Sequence, residues 1–173
     1  MTKRVDDFLR GYDFDPRQVD VEACARAFQA DMERGLRGDP DAWMLMLPTY
    51  LSLEGEIPTQ TPTIVIDAGG TNFRIGLVTM TEGGPLVEDL KVFPMPGSQS
   101  PITWEAFVEE VSDAILPLTG RSRRVGFCFS YAAEILPNRD GRILSFSKQV
   151  QVSDAQGKEL GRDLSAALAD KGV

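Results

Sequence analysis

The spacing of hydrophobic residues changes near residue 62. Before it, apolar residues recur every three or four positions, which predicts a helix over about 15–36 with Asp15 as N-cap and Pro16 in its first turn. The stripe of this helix consists of Val21, Cys24, Phe28, Met32 and Leu36. The first 14 residues are polar and are expected to pack poorly. Residues 41–60 have no regular pattern and are interpreted as a linker.

After residue 62 the pattern is that of strands and turns. β-branched and aromatic runs predict strands over 63–66, 73–80 and 86–94, and the glycine-rich links between them predict a three-stranded meander. A helix follows over 103–116 with Thr103 as N-cap. The remaining predicted elements are a buried strand over 124–130, a short strand over 142–148 and a helix over 158–170. The sequence therefore predicts an N-terminal helix and linker over 1–61 and an α/β domain over 62–173.

Composition narrows the possible functions. The 173 residues contain 18 Lys and Arg against 26 Asp and Glu, a net charge of −8, which argues against unspecific binding to nucleic acid. No apolar run reaches the roughly 20 residues of a membrane span, and the N-terminus has no signal core, so a cytoplasmic protein is expected. The absence of histidine excludes Ser-His-Asp and Cys-His catalysis. Cys24 and Cys128 form no C-x-x-C pair and are interpreted as buried apolar residues.

The sharpest motif is residues 67–74, Asp-Ala-Gly-Gly-Thr-Asn-Phe-Arg, directly after a predicted strand. Two adjacent glycines let backbone N–H groups approach a phosphate, and Thr71 adds a hydroxyl donor. Arg74 supplies a forked positive charge. Asp67 would face Mg²⁺ or its waters, because Mg²⁺ prefers few carboxylates plus phosphate oxygens. The motif is not a Walker A loop, since no Gly-Lys-Ser/Thr follows.

This octet resembles the first phosphate motif of the hexokinase family, Asp-Leu-Gly-Gly-Thr-Asn-Phe-Arg, from which only Ala68 differs. Residues 32–36 and 46–50 resemble the family segments that precede it. Residues 126–131 resemble Gly-Phe-Thr-Phe-Ser-Phe-Pro, and residues 142–148 resemble Gly-Ile-Leu-x-Trp-Thr-Lys-Gly. The matches keep the family's order across about residues 20–170. The resemblance implies an actin-like, ribonuclease-H-like α/β fold, three antiparallel strands and then parallel strands with helices.

The resemblance also implies roles for particular residues. The phosphates of ATP and the Mg²⁺ that accompanies them would be bound by Asp67, Gly69, Gly70, Thr71, Asn72 and Arg74. Ser130 and Ser147 would contact the hexose. Lys148 would contact both the sugar and the transferred phosphoryl group, where a positive charge offsets developing negative charge. The implied activity is ATP-dependent phosphorylation of a hexose, with glucose as the default, to hexose 6-phosphate.

Several positions depart from the family wording. Tyr131 and Ala132 replace Phe-Pro after the sugar-contacting serine, which predicts a different backbone there. Ser147 replaces threonine and keeps the hydroxyl. Phe146 replaces tryptophan, and Gln149 replaces the glycine after the lysine.

The general base of the reaction has no counterpart in this sequence. In hexokinases it is the aspartate of an Asn-Asp-Thr motif. The two asparagines of this sequence, Asn72 and Asn138, are not followed directly by an aspartate. The expectation is therefore the N-terminal, mostly small-domain portion of a hexokinase, without its C-terminal large domain and inactive or nearly so in isolation. A non-catalytic module that binds sugar or nucleotide is the alternative. A sugar or acetate kinase of the same superfold is a third reading, which the segments at 46–50 and 142–148 argue against.

Overall fold

The computed structural model describes residues 3–12, 14–52, 54–147 and 149–173. Its contacts divide the chain into two compact units, Met1–Pro48 and Thr49–Val173. The domains expected from the sequence, 1–61 and 62–173, stay predictions. Among the described residues, no helix combines the length and the apolar character that crossing a membrane requires.

The first unit is helical, and its long predicted helix is in fact interrupted. Helix α1 spans Lys3–Gly11 and buries none of its residues. A 3₁₀ turn spans Pro16–Gln18, and helix α2 spans Val21–Leu36. A single helix over 15–36 was the wrong prediction, because two aspartates each cap a separate start. The Asp15 side chain accepts from the Arg17 N–H and the Asp20 side chain from the Ala23 N–H, while Val19 between them is extended.

The second unit is built on a four-stranded sheet. Strands β1 (Thr63–Ala68), β2 (Asn72–Thr81) and β3 (Gly84–Pro94) form the predicted antiparallel meander. Two further elements follow, strand β4 (Ile102–Thr103) and helix α3 (Trp104–Ile115), before strand β5 (Val125–Phe129) pairs parallel to β1. The strand order is β3-β2-β1-β5. Three antiparallel strands followed by a parallel one are thus confirmed.

Two smaller ladders complete the unit. Strands β6 (Ala132–Ile135) and β7 (Gly141–Ser145) form an antiparallel hairpin, and β8 (Val152–Ser153) pairs parallel to β4. Helix α4 spans Leu160–Asp170. The predicted short strand over 142–148 corresponds to β7, and strand β6 was not predicted.

The core lies on one face of the sheet. Alternate residues of β1 and β2 are buried, as the two-residue period of strands requires. They share the core with the apolar face of α3, which begins at its predicted N-cap, Thr103. The inward side chains of the two strands and the helix include Ile64, Ile66, Phe73, Ile75, Leu77, Phe107, Val111 and Ile115.

Strand β5 corrects one sequence-based expectation. It was interpreted as a buried strand, but in the described part of the chain it lies at the edge of the sheet, and Val125 is 42% exposed. Both cysteines, Cys24 and Cys128, are exposed rather than buried. The apolar character of the 124–130 run predicted a strand correctly but carried no information about which of its faces is covered.

Candidate active site

The phosphate motif begins at Asp67, near the end of β1, and continues through a short turn into β2. Asp67 and Arg74 are register partners on these antiparallel strands, with the short turn 69–71 between the strands. The Arg74 Nη1 donates to the Asp67 Oδ2 at 2.8 Å, and both side chains are about half exposed. The two charged residues that the sequence assigned to Mg²⁺ and phosphate therefore neutralise each other in this structure.

The backbone of the turn is held by its own hydrogen bonds. The Gly69 N–H donates to the Asn72 carbonyl at 3.0 Å, and the Met95 N–H donates to the Thr71 carbonyl at 3.1 Å. A Cβ on Gly69 would lie 3.3 Å from the Asn72 carbonyl oxygen, a close approach that favours glycine there. The side chains of Thr71 and Asn72 are exposed. The turn thus presents its polar side chains to solvent from a fixed backbone.

The end of β5 lies directly against this turn. Because β1 and β5 are parallel neighbours, with Ala68 opposite Phe129, both reach their carboxyl ends at the same edge of the sheet. The Ser130 N–H donates to the Ala68 carbonyl at 3.1 Å, and the Tyr131 hydroxyl donates to the Gly69 carbonyl at 2.6 Å. Ligands of open α/β sheets bind at this edge. The structure therefore brings the predicted phosphate turn together with Ser130, the first serine predicted to contact the sugar.

An aromatic cluster connects the two segments that are predicted to contact the sugar, those that carry Ser130 and Ser147. The ring centroids of Phe129, Tyr131 and Phe146 lie 5.0–5.6 Å from one another. Phe146 also contacts Phe107 of the core, with centroids 5.4 Å apart. Ser130 lies between two of these rings in sequence, and Ser147 follows the third. Both serines are exposed, so the cluster holds their backbones while their hydroxyls stay accessible.

The substitution of Tyr131-Ala132 for the family's Phe-Pro has visible consequences. Ala132 opens strand β6, opposite Ser145, and the register shifts between Ala132 and Ala133. A proline at this position would bring no N–H to the hairpin. Tyr131 is 8% exposed, and its burial raises the pKa of its phenol above the usual value. Sequence reasoning did not assign Tyr131 a role, although its departure from phenylalanine was the available signal.

Asp140 connects the β6–β7 hairpin to helix α4 through hydrogen bonds. The Asp140 Oδ1 accepts from the Gly161 N–H at 2.6 Å, and the Oδ2 accepts from the Arg162 N–H at 2.9 Å. Asp140 thus caps α4 from the distant β6–β7 turn, since Glu159 at the helix start makes no side-chain cap. No local motif in the sequence signals this contact.

The remaining predicted site residues are less informative. Lys148 lies outside the described residues. A cleft of about 890 Å³ opens beside Phe146, bordered by residues 101–103, 144–146 and 150–156, and none of the predicted site residues that the structure describes lines it. Within the described ranges, no group of three or more Cys, Asp or Glu could hold a metal ion. A single carboxylate, Asp67, fits a Mg²⁺ ion that is held mainly by phosphate oxygens.

A glycine-rich turn between the first two strands of an antiparallel meander, with a later strand pairing parallel to the first, defines a class, the actin-like ATPase fold. Solved hexokinase structures share it. The Schistosoma mansoni hexokinase complexed with glucose has a TM-score of 0.65 at 18% identity, covering 99% of this chain and 40% of that one. A second hexokinase crystal structure has a TM-score of 0.63 at 18% identity, with 87% and 39% coverage.

The sequence comparisons make the assignment more specific. The Hexokinase family model matches residues 4–173, so the chain belongs to the hexokinase family. It is 29% identical to hexokinase-5 of Oryza sativa subsp. japonica over 169 residues, 88% of this chain and 33% of the relative. It is 28% identical to human hexokinase-3 over 143 residues, 79% of this chain and 15% of the relative. The chain spans a third or less of these relatives.

Proposed function

We propose that this chain supplies the phosphate turn and part of the sugar site for ATP-dependent phosphorylation of a hexose, with glucose as the substrate and hexose 6-phosphate as the product. The observation that supports the proposal is the hydrogen bond from the Ser130 N–H to the Ala68 carbonyl, because it joins the serine proposed to contact the sugar to the start of the proposed phosphate motif. Family membership supports a phosphotransferase role. A cytoplasmic location remains a prediction from the sequence.

The nucleotide would be bound at the turn after β1. The hydroxyl of Thr71 and the amide of Asn72 are exposed there, and Arg74 offers a guanidinium fork for phosphate oxygens. Asp67 would hold Mg²⁺ directly or through water, and the ion would supply charge neutralisation on the phosphates. Because Arg74 pairs with Asp67 in this structure, a phosphate at Arg74 would compete with that carboxylate for the guanidinium group.

The hexose would be bound by the serines at the ends of β5 and β7. Sugar hydroxyls are recognised through hydrogen bonds that both donate and accept, which the hydroxyls of Ser130 and Ser147 provide. Lys148 would stabilise the transferred phosphoryl group electrostatically. The rings of Phe129, Tyr131 and Phe146, which adjoin the two serines in sequence, pack together and would preorganise the site for the sugar.

We further propose that the 173-residue chain alone turns over very slowly or not at all. Transfer to a sugar hydroxyl needs a base, and this sequence contains no Asn-Asp pair. The same observation favours a second candidate, a module that binds sugar and nucleotide without catalysis. Both candidates require binding, and they differ only in turnover.

Calorimetric titration with glucose and with Mg-ATP, beside a coupled assay for sugar phosphate, tests these proposals. We expect the affinity for glucose to fall at least about tenfold in the Ser130→Ala variant, because the site loses a hydrogen-bond partner of the sugar. Ser165→Ala, at an exposed serine of α4, is the matched control and should bind normally. Absence of glucose binding would contradict the proposed sugar site. Clear turnover would contradict the expected inactivity and implicate another carboxylate as base, such as Asp67 or Glu134.

A further inference from the structure

The Tyr131 hydroxyl reaches across from the sugar-contacting segment to the phosphate turn. It donates to the Gly69 carbonyl at 2.6 Å, a short distance even for a hydroxyl donor. The side chain is 8% exposed, and its ring lies between those of Phe129 and Phe146. The position of the hydroxyl is therefore set by the packed aromatic cluster, whereas the residue that it contacts belongs to a solvent-facing turn.

The geometry of the peptide bond makes this contact relevant to anion binding. The Gly69 carbonyl and the Gly70 N–H belong to one planar, trans peptide group, so they point in opposite directions. Fixing the carbonyl toward Tyr131 fixes the Gly70 N–H away from it. Glycines on both sides of this peptide lower the cost of rotating it, which leaves the orientation dependent on an external partner.

We propose that Tyr131 is a positioning residue that orients the Gly70 N–H toward the phosphates of the nucleotide. The inference deepens the proposed function and rests on it for the identity of the ligand. The family motif that residues 126–131 resemble has phenylalanine at this position and therefore does not provide this hydroxyl. In this chain the phosphate turn is thus aligned by the same side chain that packs beside the sugar-contacting serines.

The variant Tyr131→Phe tests the proposal, since it removes the hydroxyl and keeps the ring. We expect the affinity for Mg-ATP and for magnesium tripolyphosphate to fall about 3- to 10-fold, the effect of one ordinary hydrogen bond. Glucose affinity should change less than about twofold, because the aromatic packing is retained. Tyr50→Phe, at a half-exposed tyrosine, is the matched control and should change neither affinity.

A second measurement needs no ligand. The amide hydrogen exchange and chemical shift of Gly70, followed by NMR, should change in Tyr131→Phe, while the amides of Ile64 and Ile66 in β1 stay as in the wild type. An unchanged Gly70 amide would overturn the proposal. Equal losses of glucose and tripolyphosphate affinity would also overturn it, since they indicate a general loss of structure. If the wild type binds neither nucleotide nor tripolyphosphate, the ATP part of the proposed function is wrong, and the Gly70 amide alone then decides the positioning role.

Discussion

The glycine-rich turn after β1 and the two segments that carry Ser130 and Ser147 are held in place by different interactions. The turn is held by backbone hydrogen bonds and by the half-exposed pair of Asp67 and Arg74. The segments that carry Ser130 and Ser147 are held by rings that pack on Phe107 of the core. Polar contacts can be exchanged for those of a ligand, whereas aromatic packing cannot. From this comparison we propose a sugar side that is fixed by folding and a phosphate side that rearranges on ligand binding.

The largest expected effect comes from removing the ring that connects the sugar side to the core. Phe146→Ala should lower the free energy of unfolding by about 3 kcal/mol, the lower end for a phenylalanine because the ring is only partly buried. Urea denaturation measures the change. Leu144→Ala, two residues earlier at a half-exposed position, should cost about 1 kcal/mol or less. Equal costs for both variants would mean that the cluster does not fix this segment.

The cap of α4 should give the next largest effect. Asp140→Ala leaves the Gly161 and Arg162 N–H groups without their carboxylate and should cost about 1–2 kcal/mol. Asp140→Asn keeps a side-chain acceptor and should recover part of that loss. The urea midpoints of the two variants measure the difference, and identical midpoints would show that the contact is not a cap.

A substitution on the phosphate side should reduce ligand affinity strongly and stability only slightly. Arg74→Gln should lower the free energy of unfolding by less than about 1 kcal/mol, because exposed ion pairs contribute little. Mg-ATP affinity should fall at least tenfold, since a charged hydrogen-bond fork is lost. Arg142→Gln, at another exposed ion-paired arginine, is the control and should bind Mg-ATP normally. A stability loss of several kcal/mol in Arg74→Gln would remove the contrast between the two sides.

The smallest effect should be visible only at high pH. Burial raises the pKa of Tyr131 above its value in the unfolded chain, so the folded state favours the protonated phenol. This contribution to stability is complete below pH 10 and is lost as the pH rises through the folded-state pKa. Urea denaturation from pH 9 to 11 should show a steeper decline for the wild type than for Tyr131→Phe. Parallel declines would show that folding does not raise the pKa of Tyr131.

Much of the fold and part of the site could be predicted from local pattern. The runs of β-branched residues separated by glycine-rich turns predicted the meander, and Thr103 marked the start of α3. The break in the N-terminal helix was missed because Asp15 and Asp20 are both good caps and the apolar period continues across them. The roles of Asp67, Arg74, Ser130, Ser147 and Lys148 stay predictions.

The sequence by itself determined most of the elements, the glycine-rich turn after β1 and the family, because these depend on neighbouring residues and on motifs kept in order. Only the tertiary structure decided which residues meet. The Tyr131 hydroxyl reaches Gly69 over 62 positions, and Asp140 caps a helix that begins 20 residues later. Such contacts follow from the parallel pairing of β1 with β5 and from the packing of one sheet face, which place distant segments side by side without any local signal.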